Sequence, residues 1–247
     1  MGKTEVVARS GRRTAGKNPG RRRLSVMQRR DEIMSATLRL LSTTPADQLS
    51  IDDIAEAAGA SRALIYHYFR TKEQLYIAAV RSACDDLKRR LVLPDVHPFE
   101  QLAYAARIYL DFAEERSADF TALLRGPARG GGEHDELASI VEDARWFIVD
   151  LVVSSIGVAR PSPVLRTTLR GWVAMMEVIS LDWLDRGDLT RDQVRRLLMN
   201  ALGATLMVAA AEDEELSRGF AGLLATADTD RLPPWIHAAI RDTGETR

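Results

Sequence analysis

Apolar residues recur every three or four positions along nearly the whole chain from residue 27 to residue 211. This spacing places them on one face of successive α-helices, whereas a half-buried β-strand would show them at every second position. Short turns interrupt the pattern, as at residues 43–45 and 126–127, where proline is present. The sequence contains no alternating segment and no internal repeat, so it predicts an all-α fold.

The composition excludes several classes of protein. The single cysteine, Cys84, excludes an internal disulfide framework and any metal site built from several cysteines. The longest apolar run, residues 201–211, is shorter than the roughly 20 residues that cross a bilayer. No apolar stretch follows the basic N-terminus, so we predict neither a transmembrane helix nor a signal peptide. We expect a cytoplasmic protein of one large domain or two small ones.

The net charge of −1 conceals a strong asymmetry. Residues 1–30 carry ten Lys or Arg and one acid, a net charge of +9, and the remaining 217 residues carry a net charge of −10. A basic arm on an acidic body indicates a polyanionic partner at one end. Residues 1–24 are almost free of apolar side chains and predict a flexible arm. The alternative for this arm is a solvated tail with no partner.

Two short helices joined by a glycine turn are predicted between residues 50 and 69. Ser50 can cap the first helix, and Asp52 and Asp53 suit its first turn, where the helix dipole favours acids. Gly59 can adopt the positive φ that lets a second helix cross the first, and Ser61 can cap that second helix. The arrangement is typical of a helix-turn-helix motif, although an ordinary helical corner would contain the same glycine turn.

Aromatic and basic side chains crowd the second of these helices. Its inner side is predicted to be Leu64, Ile65 and Phe69. The side chains left at the surface are Arg62, Ala63, Tyr66, His67 and Tyr68. Tyrosine, histidine and arginine all donate hydrogen bonds to phosphate oxygens, and residues in the first turn of such a helix meet base edges. The alternative for the tyrosines is half-buried packing between helices.

A longer helix is predicted to begin after Thr71. Thr71 and Gln74 are spaced as a capping box, with threonine at the N-cap and glutamine at the third helical position. Lys72 and the free backbone N–H groups of this first turn would bind an anion. We therefore expect the ammonium group of Lys72 to contact a phosphate.

Several short motifs occur together between residues 50 and 75: Ile54-Ala55, Ala58-Gly59, Tyr66-x-x-Phe69 and Lys72. In this register they resemble the DNA-binding head of the TetR family of bacterial transcriptional regulators, over about residues 27–87. The sequence departs from the family at Ala60, where valine is usual, and at Tyr68, where histidine is usual. A tyrosine hydroxyl can still donate to phosphate at that position.

The resemblance implies a three-helix DNA-binding head at residues 27–87, with its helix-turn-helix motif at residues 50–69. It also implies a helical effector-binding and dimerisation domain at residues 98–225, followed by a loose tail at residues 226–247. The partners that it implies are a palindromic double-stranded operator, a second copy of the chain and an unknown small effector. The implied DNA-contacting residues are Ser50, Ser61, Arg62, Ala63, Tyr66, His67, Tyr68, Thr71 and Lys72.

In such proteins the last two long helices of the chain pair with the partner in a four-helix bundle. Here these helices would be residues 163–186 and 191–211. Small residues such as Gly203 and Ala204 would let the helices approach closely, although an internal core would use them as well. Large apolar side chains make an effector pocket, and ordinary core is the alternative for each of them. The pocket candidates are Tyr109, Phe112, Phe120, Trp146, Trp172 and Met176.

The sequence offers little for catalysis. The histidines are scattered, and residues 133–136 lack a second histidine at metal-ligand spacing, so we predict no enzyme, metal or cofactor. The expected function is a repressor that a small apolar ligand releases from its operator, with no membrane partner. Two alternatives remain open: a constitutive DNA-binding protein without effector, and a small helical enzyme or metabolite carrier that uses the C-terminal cavity.

Overall fold

The computed structural model describes residues 25–125 and 133–226, and these form ten α-helices. The N-terminal helices are α1 (Val26–Leu41), α2 (Ile51–Ala57), α3 (Arg62–Tyr68) and α4 (Lys72–Arg90). The others are α5 (Pro98–Glu115), α6 (Ser117–Arg125), α7 (Glu133–Ser155), α8 (Pro163–Arg186), α9 (Arg191–Ala211) and α10 (Glu214–Thr226). Neither described range contains a β-strand, so the predicted all-α class is confirmed.

Side-chain caps explain where the helices begin. The hydroxyl oxygens that accept a hydrogen bond from the first turn belong to Ser25, Ser50, Ser61, Thr71, Ser162 and Thr190. The capping box predicted at Thr71 is only half formed, because the Thr71 oxygen accepts from the backbone N–H of Gln74 but no return bond from Gln74 is made. Gly187 ends α8 in a left-handed conformation with φ 64°, which glycine adopts at little cost.

The N-terminal helices pack on the rest of the chain along α1 and α4. Helix α1 contacts α2, α4 and α6, and α4 contacts α5, α6 and α7. Helices α8 and α9 pack on each other, with α5 against both and α10 against α9. A single apolar core runs through all of these contacts, from Ile33, Ile54 and Ile65 at one end to Leu165 and Leu198 at the other. Helix α4 therefore packs against both the N-terminal helix α1 and the later helices α5, α6 and α7.

By length and composition alone, α9 is suited to cross a membrane. No other helix in the described ranges meets this criterion. The prediction of no transmembrane helix was based on the longest uninterrupted apolar run in the sequence. Polar residues near the start of α9 make that run shorter than the helix itself. Its core-facing side packs against α5, α8 and α10. Apolar side chains also lie on its opposite side, which is exposed in the protomer.

Some predictions fall at or beyond the edges of the described ranges. The basic arm at residues 1–24 lies outside them, as do the predicted turn at residues 126–127 and residues 227–247. The predicted loose tail began one residue too early, because Thr226 is the last residue of α10.

Candidate DNA-binding site and internal cavity

The turn between α2 and α3 is built around Gly59. Its φ of 56° is a left-handed conformation that residues with a Cβ seldom adopt, and it redirects the chain from α2 into α3. The Arg29 guanidinium donates a 2.9 Å hydrogen bond to the Gly59 carbonyl oxygen, which ties α1 to this turn. The predicted helix-turn-helix geometry is thus present, and α1 supports it from behind.

The side chains of α3 form a buried set and an exposed set, as the sequence predicts. Ile65 and Phe69 are buried, and Leu64 is half-buried. The outward side chains are those of Arg62, Ala63, Tyr66 and His67. Tyr68 is half-buried, with its ring edge-on to His67 at 5.3 Å between centroids, so the packing alternative holds for part of this side chain. The exposed face therefore presents a guanidinium, a phenol and an imidazole together.

Arg62 occupies the first position of α3 and bonds to α2. Its Nη1 atom lies 2.9 Å from the Asp52 carboxylate, and both side chains are about three-fifths exposed. Such an exposed ion pair stabilises the protein by only about 0–1 kcal/mol. It therefore favours this orientation of the Arg62 side chain but does not fix it. The remaining guanidinium N–H groups stay available to a base edge.

Three of the residues predicted to contact DNA act as helix N-caps in the structure, namely Ser50, Ser61 and Thr71. The Ser50 hydroxyl donates to the Asp53 carboxylate at 2.6 Å, and this bond lowers the pKa of Asp53 below its usual range. The Ser61 and Thr71 oxygens accept from the first turns of α3 and α4, and neither hydroxyl donates to another described residue. Ser61 and Thr71 can therefore each donate to a phosphate, whereas Ser50 would first have to give up its bond to Asp53.

Lys72 does not have the free ammonium group that the sequence predicts. Its Nζ donates to the carbonyl oxygens of Leu49 at 2.9 Å and Ala46 at 3.2 Å, and it lies over the ring of Tyr76. The Tyr76 hydroxyl donates to the same Ala46 oxygen, and burial raises the pKa of this phenol to about 12. Two carbonyl oxygens accept two of the three ammonium N–H groups, so Lys72 anchors the loop before α2.

We expect Lys72→Ala to lower the free energy of unfolding by about 1–3 kcal/mol, because the buried carbonyl of Leu49 loses a charged hydrogen-bond donor. Denaturant unfolding measures this change, and Arg89→Ala, an exposed charge on the same helix, is the matched control. The slope of log K against log [salt] for DNA binding should then stay nearly constant. A slope lower by about 0.9 with unchanged stability would instead show that Lys72 contacts phosphate.

An apolar cavity lies between the C-terminal helices. It is lined by Leu91, Leu102, Ala105, Ala106, Tyr109, Ile148, Leu151, Val152, Trp172, Met176, Leu198, Met199 and Leu202. Its volume is about 30 Å³, which is room for roughly two water molecules. A drug-sized ligand needs a site of about 300 Å³ or more, so such a ligand would have to displace side chains.

The structure brings half of the pocket candidates to this cavity. Tyr109, Trp172 and Met176 line it, whereas the other three do not. Phe112 is fully buried beneath the Arg90 guanidinium, at 5.6 Å from its ring. Phe120 packs edge-on against the Tyr109 ring at 5.5 Å between centroids, and Trp146 lies half-buried under Arg166.

Sequence reasoning missed the aliphatic part of the lining, above all Leu91. This residue is the C-cap of α4, the helix that begins directly after α3. The available signal was its position at the end of that long helix, although large aromatic side chains are the more usual sign of a ligand pocket.

The residues that line the cavity are apolar apart from the Tyr109 hydroxyl and the Trp172 indole N–H. The described residues contain no group of three or more histidine, cysteine, aspartate or glutamate side chains that could hold a metal ion. Burial raises the pKa of the Cys84 thiol to about 11, so this cysteine is a buried core residue rather than a nucleophile.

Comparison with known proteins identifies the class of molecule. Residues 33–79 match the family model described as bacterial regulatory proteins, tetR family, and residues 98–205 match that of the tetracyclin repressor-like C-terminal domain. A solved tetR-family transcriptional regulator from Streptomyces coelicolor is 33% identical with a TM-score of 0.74, covering 90% of this chain and 99% of its own. The chain belongs to the TetR family. Its α2 and α3 are accordingly the helix-turn-helix of a DNA-binding transcriptional regulator.

Curated relatives match the TetR-family chain over shorter stretches. The nucleoid occlusion factor SlmA of Idiomarina loihiensis is 28% identical over 118 residues, which is 47% of this chain and 59% of that protein. The HTH-type transcriptional regulator BetI of Agrobacterium fabrum is 39% identical over 64 residues, which is 26% of this chain and 31% of that protein. The chain thus spans less than two thirds of these relatives, and the match to BetI is about as long as the predicted DNA-binding head.

The last long helices of this TetR-family chain both expose apolar side chains. Helix α8 exposes Val164, Gly171, Met175 and Val178, and α9 exposes Leu197, Ala204, Val208 and Ala211. Each set follows the same spacing of 0, 7, 11 and 14 positions, which keeps it on one helical face. A Cβ added at Gly171 would meet no atom of the chain within 4 Å, so packing within the protomer does not require glycine there.

Proposed function

We propose that this TetR-family regulator binds a palindromic operator as a homodimer and acts as a repressor that a small apolar ligand releases. The observation that carries this proposal is the position of Leu91, which ends the helix leaving the DNA-binding head and also lines the internal cavity. One side chain therefore links the space that a ligand would enter to the helix that positions α3. The cytoplasm, where the chromosome lies, is the corresponding location.

The proposed domains divide the chain near the end of α4. The head is residues 27–87, with the helix-turn-helix motif at residues 50–69, and the effector-binding and dimerisation domain is residues 98–225. The exposed face of α3 supports the DNA contact, through Arg62 and Ala63 at base edges and through Tyr66, His67 and Tyr68 at phosphates. Backbone contacts by Ser61 and Thr71 complete the proposed interface.

The proposed dimer is held by the exposed apolar faces of α8 and α9. Monomeric proteins seldom expose a large contiguous apolar patch, and such a patch marks an interaction site. The glycine at position 171 in the middle of α8 costs about 1 kcal/mol of helix propensity relative to alanine. Close approach of a partner helix accounts for a glycine that packing within the protomer does not need.

Ion pairs support the proposed transmission from the cavity to the head. The Arg90 guanidinium at the end of α4 lies 2.7 Å from the Glu115 carboxylate of α5. Arg116 contacts Asp86 of α4 at 3.4 Å and Asp119 of α6 at 2.7 Å. A ligand that pushes α5 away from Leu91 would therefore pull on α4 as well. Release from DNA follows if the new position of α4 changes the spacing of the two heads.

A constitutive DNA-binding protein is the second candidate, and the small size of the cavity favours it. The discriminating experiment measures affinity for a genomic operator fragment by fluorescence anisotropy, with and without a panel of apolar compounds. A compound that weakens operator binding supports the repressor. If no compound changes the affinity, or the protein retains unrelated DNA equally well, the constitutive reading is correct.

Filling the cavity is expected to weaken the response to a releasing compound while leaving DNA binding intact. We expect Ala105→Leu to weaken binding of a releasing compound by about 5–150-fold, because over-filling a packed space costs about 1–3 kcal/mol. Ala103→Leu, on the same helix but away from the cavity, is the control. Operator affinity with and without the compound measures the effect, and an unchanged response in Ala105→Leu would place the effector elsewhere.

A further inference from the structure

The DNA-binding head carries little positive charge for a surface that faces DNA. Residues 27–87 contain seven Lys or Arg and nine Asp or Glu, a net charge of −2 with histidine neutral. Affinity for DNA depends on Lys and Arg side chains that neutralise phosphates, and this term supplies essentially all of the sequence-independent binding. The head by itself is therefore poorly equipped for the electrostatic part of DNA binding.

Most of the cations in the head already have partners within the protein. The Arg29 guanidinium donates to a carbonyl oxygen of the turn before α3, and Lys72 donates to two carbonyl oxygens of the loop before α2. Arg30 lies over an aromatic ring at 5.0 Å from its centroid. Arg62 and Arg81 each pair with a carboxylate at 2.9 Å. Five of the seven cations are thus engaged, which leaves few for phosphate.

The basic arm, residues 1–24, carries the charge that the head does not. It contains eight Lys or Arg and one acid, a net charge of +7. Three of its arginines, at positions 21–23, come shortly before Ser25, the N-cap of α1. An extended chain spans at most about 3.6 Å per residue, so these arginines cannot lie farther than roughly 15 Å from the cap. Their distance from the head is therefore limited by covalent geometry alone.

The start of α1 lies close to the turn that leads into α3. Arg29 follows the Ser25 cap by four residues, and its guanidinium bonds to the Gly59 carbonyl oxygen in that turn. Four helical residues rise only about 6 Å, so the arm joins the head near the first turn of α3. Val26 and Met27 are 69% and 75% exposed, so the described residues leave this end of α1 uncovered.

We propose that the basic arm, through Arg21, Arg22 and Arg23 above all, binds DNA phosphates next to the base pairs that α3 contacts. This inference rests on DNA binding through α3 and adds a second DNA-contacting element to it. Phosphate contacts position a protein on the duplex but carry no sequence information. The arm would therefore supply sequence-independent affinity, and the exposed face of α3 would supply the sequence preference.

The salt dependence of DNA binding tests this role directly. The probe is a mixed-sequence duplex of about 30 base pairs, or three helical turns, and fluorescence anisotropy of the full-length protein measures its affinity. In the combined variant Arg21→Ala, Arg22→Ala and Arg23→Ala, we expect the slope of log K against log [salt] to be less steep by about 3–5. Three contacts in each protomer of the proposed dimer, at about 0.9 each, account for this change.

The loss of affinity in the alanine variant should depend on salt in the same way. It is expected to be largest at low salt and to shrink by roughly 10²–10³-fold between about 50 and 200 mM, because fewer counterions are released. The temperature of unfolding should not change, since the substituted residues precede the N-cap of α1. A lower unfolding temperature would show that these arginines pack on the protein and would contradict the inference.

The matched control removes the same charge from the C-terminal part of the chain. Arg107, Arg160 and Arg218 are exposed and lie in α5, before α8 and in α10. Replacing these three by alanine should leave the salt slope nearly constant, because they lie outside the head. An equal loss of slope in this control would show an effect of net charge alone, and the arm would have no contact of its own.

Lysine at the same positions separates charge from the shape of the guanidinium. The combined variant Arg21→Lys, Arg22→Lys and Arg23→Lys should keep the wild-type slope, since a phosphate contact needs the charge. A slope as shallow as that of the alanine variant would contradict a phosphate contact.

The remaining outcomes separate this inference from DNA binding through α3. If the wild type binds the duplex and the alanine variant has the same affinity and slope, the arm is a solvated tail and the inference is wrong, while α3 stays the DNA-contacting element. If the wild type binds neither this duplex nor any genomic fragment, DNA binding through α3 fails, and the inference fails with it.

Discussion

Replacing Arg62 by alanine is expected to reduce the preference for the operator over unrelated DNA by about 1–3 kcal/mol, or roughly 5–150-fold. Arg62 opens α3, where the first turn of a recognition helix meets base edges in the major groove. Its bond to Asp52 leaves further guanidinium N–H groups free, and two parallel N–H groups match the acceptors of one guanine. The loss should be confined to one base position in each half-site.

The matched control for Arg62 is Arg70→Ala, which removes the same charge from an exposed position just beyond α3. Arg70→Ala should weaken binding to all sequences alike and lower the salt slope, because a phosphate contact carries no sequence information. Competition binding against operators with single substitutions measures both variants. If Arg62→Ala weakens operator and unrelated DNA equally, Arg62 contacts only the backbone.

Placing a carboxylate on the exposed face of α8 is expected to have the largest effect. Val178 is 66% exposed and is one of the apolar residues that repeat along this face. In Val178→Glu an unpaired charge would enter the proposed interface, where its desolvation costs several kcal/mol. We expect a monomer whose operator affinity is lower by about 10²–10⁴-fold, because two linked heads bind far more tightly than one.

Val92→Glu controls for the added charge, since Val92 is 70% exposed but lies between α4 and α5, away from this face. It should remain dimeric and bind the operator normally. Analytical ultracentrifugation and operator binding, measured together, test the pair. A dimeric Val178→Glu with full operator affinity would show that the protomers meet through another surface.

Local sequence signals predicted the helix-turn-helix region closely. The caps at Ser50 and Ser61, the positive φ of Gly59 and the burial of Ile65 each depend on a few neighbouring residues. Short-range rules describe such features well, because the competing conformations differ over one or two helical turns. The outward face of α3 followed directly from its apolar spacing.

Features that depend on distant residues were not predictable in this way. The acceptors of the Lys72 ammonium are carbonyl oxygens 23 and 26 positions earlier in the chain, and no local pattern indicates them. Residue type likewise did not show that Phe112, Phe120 and Trp146 lie away from the cavity, because packing between distant helices decides which aromatic side chains reach it. Leu91 lines the cavity because the end of α4 packs beside α5, and this packing is not apparent from the sequence.

The most direct test of the account is to sequence the genomic DNA fragments that the purified protein retains, in parallel with those retained by Arg62→Ala. We expect wild-type fragments to share an inverted repeat, with half-site centres about 34–36 Å or a multiple of that distance apart. We also expect the Arg62→Ala fragments to lose one base preference in each half-site. Wild-type fragments without a shared inverted repeat, or an identical preference in the variant, would contradict sequence reading by a homodimer through α3.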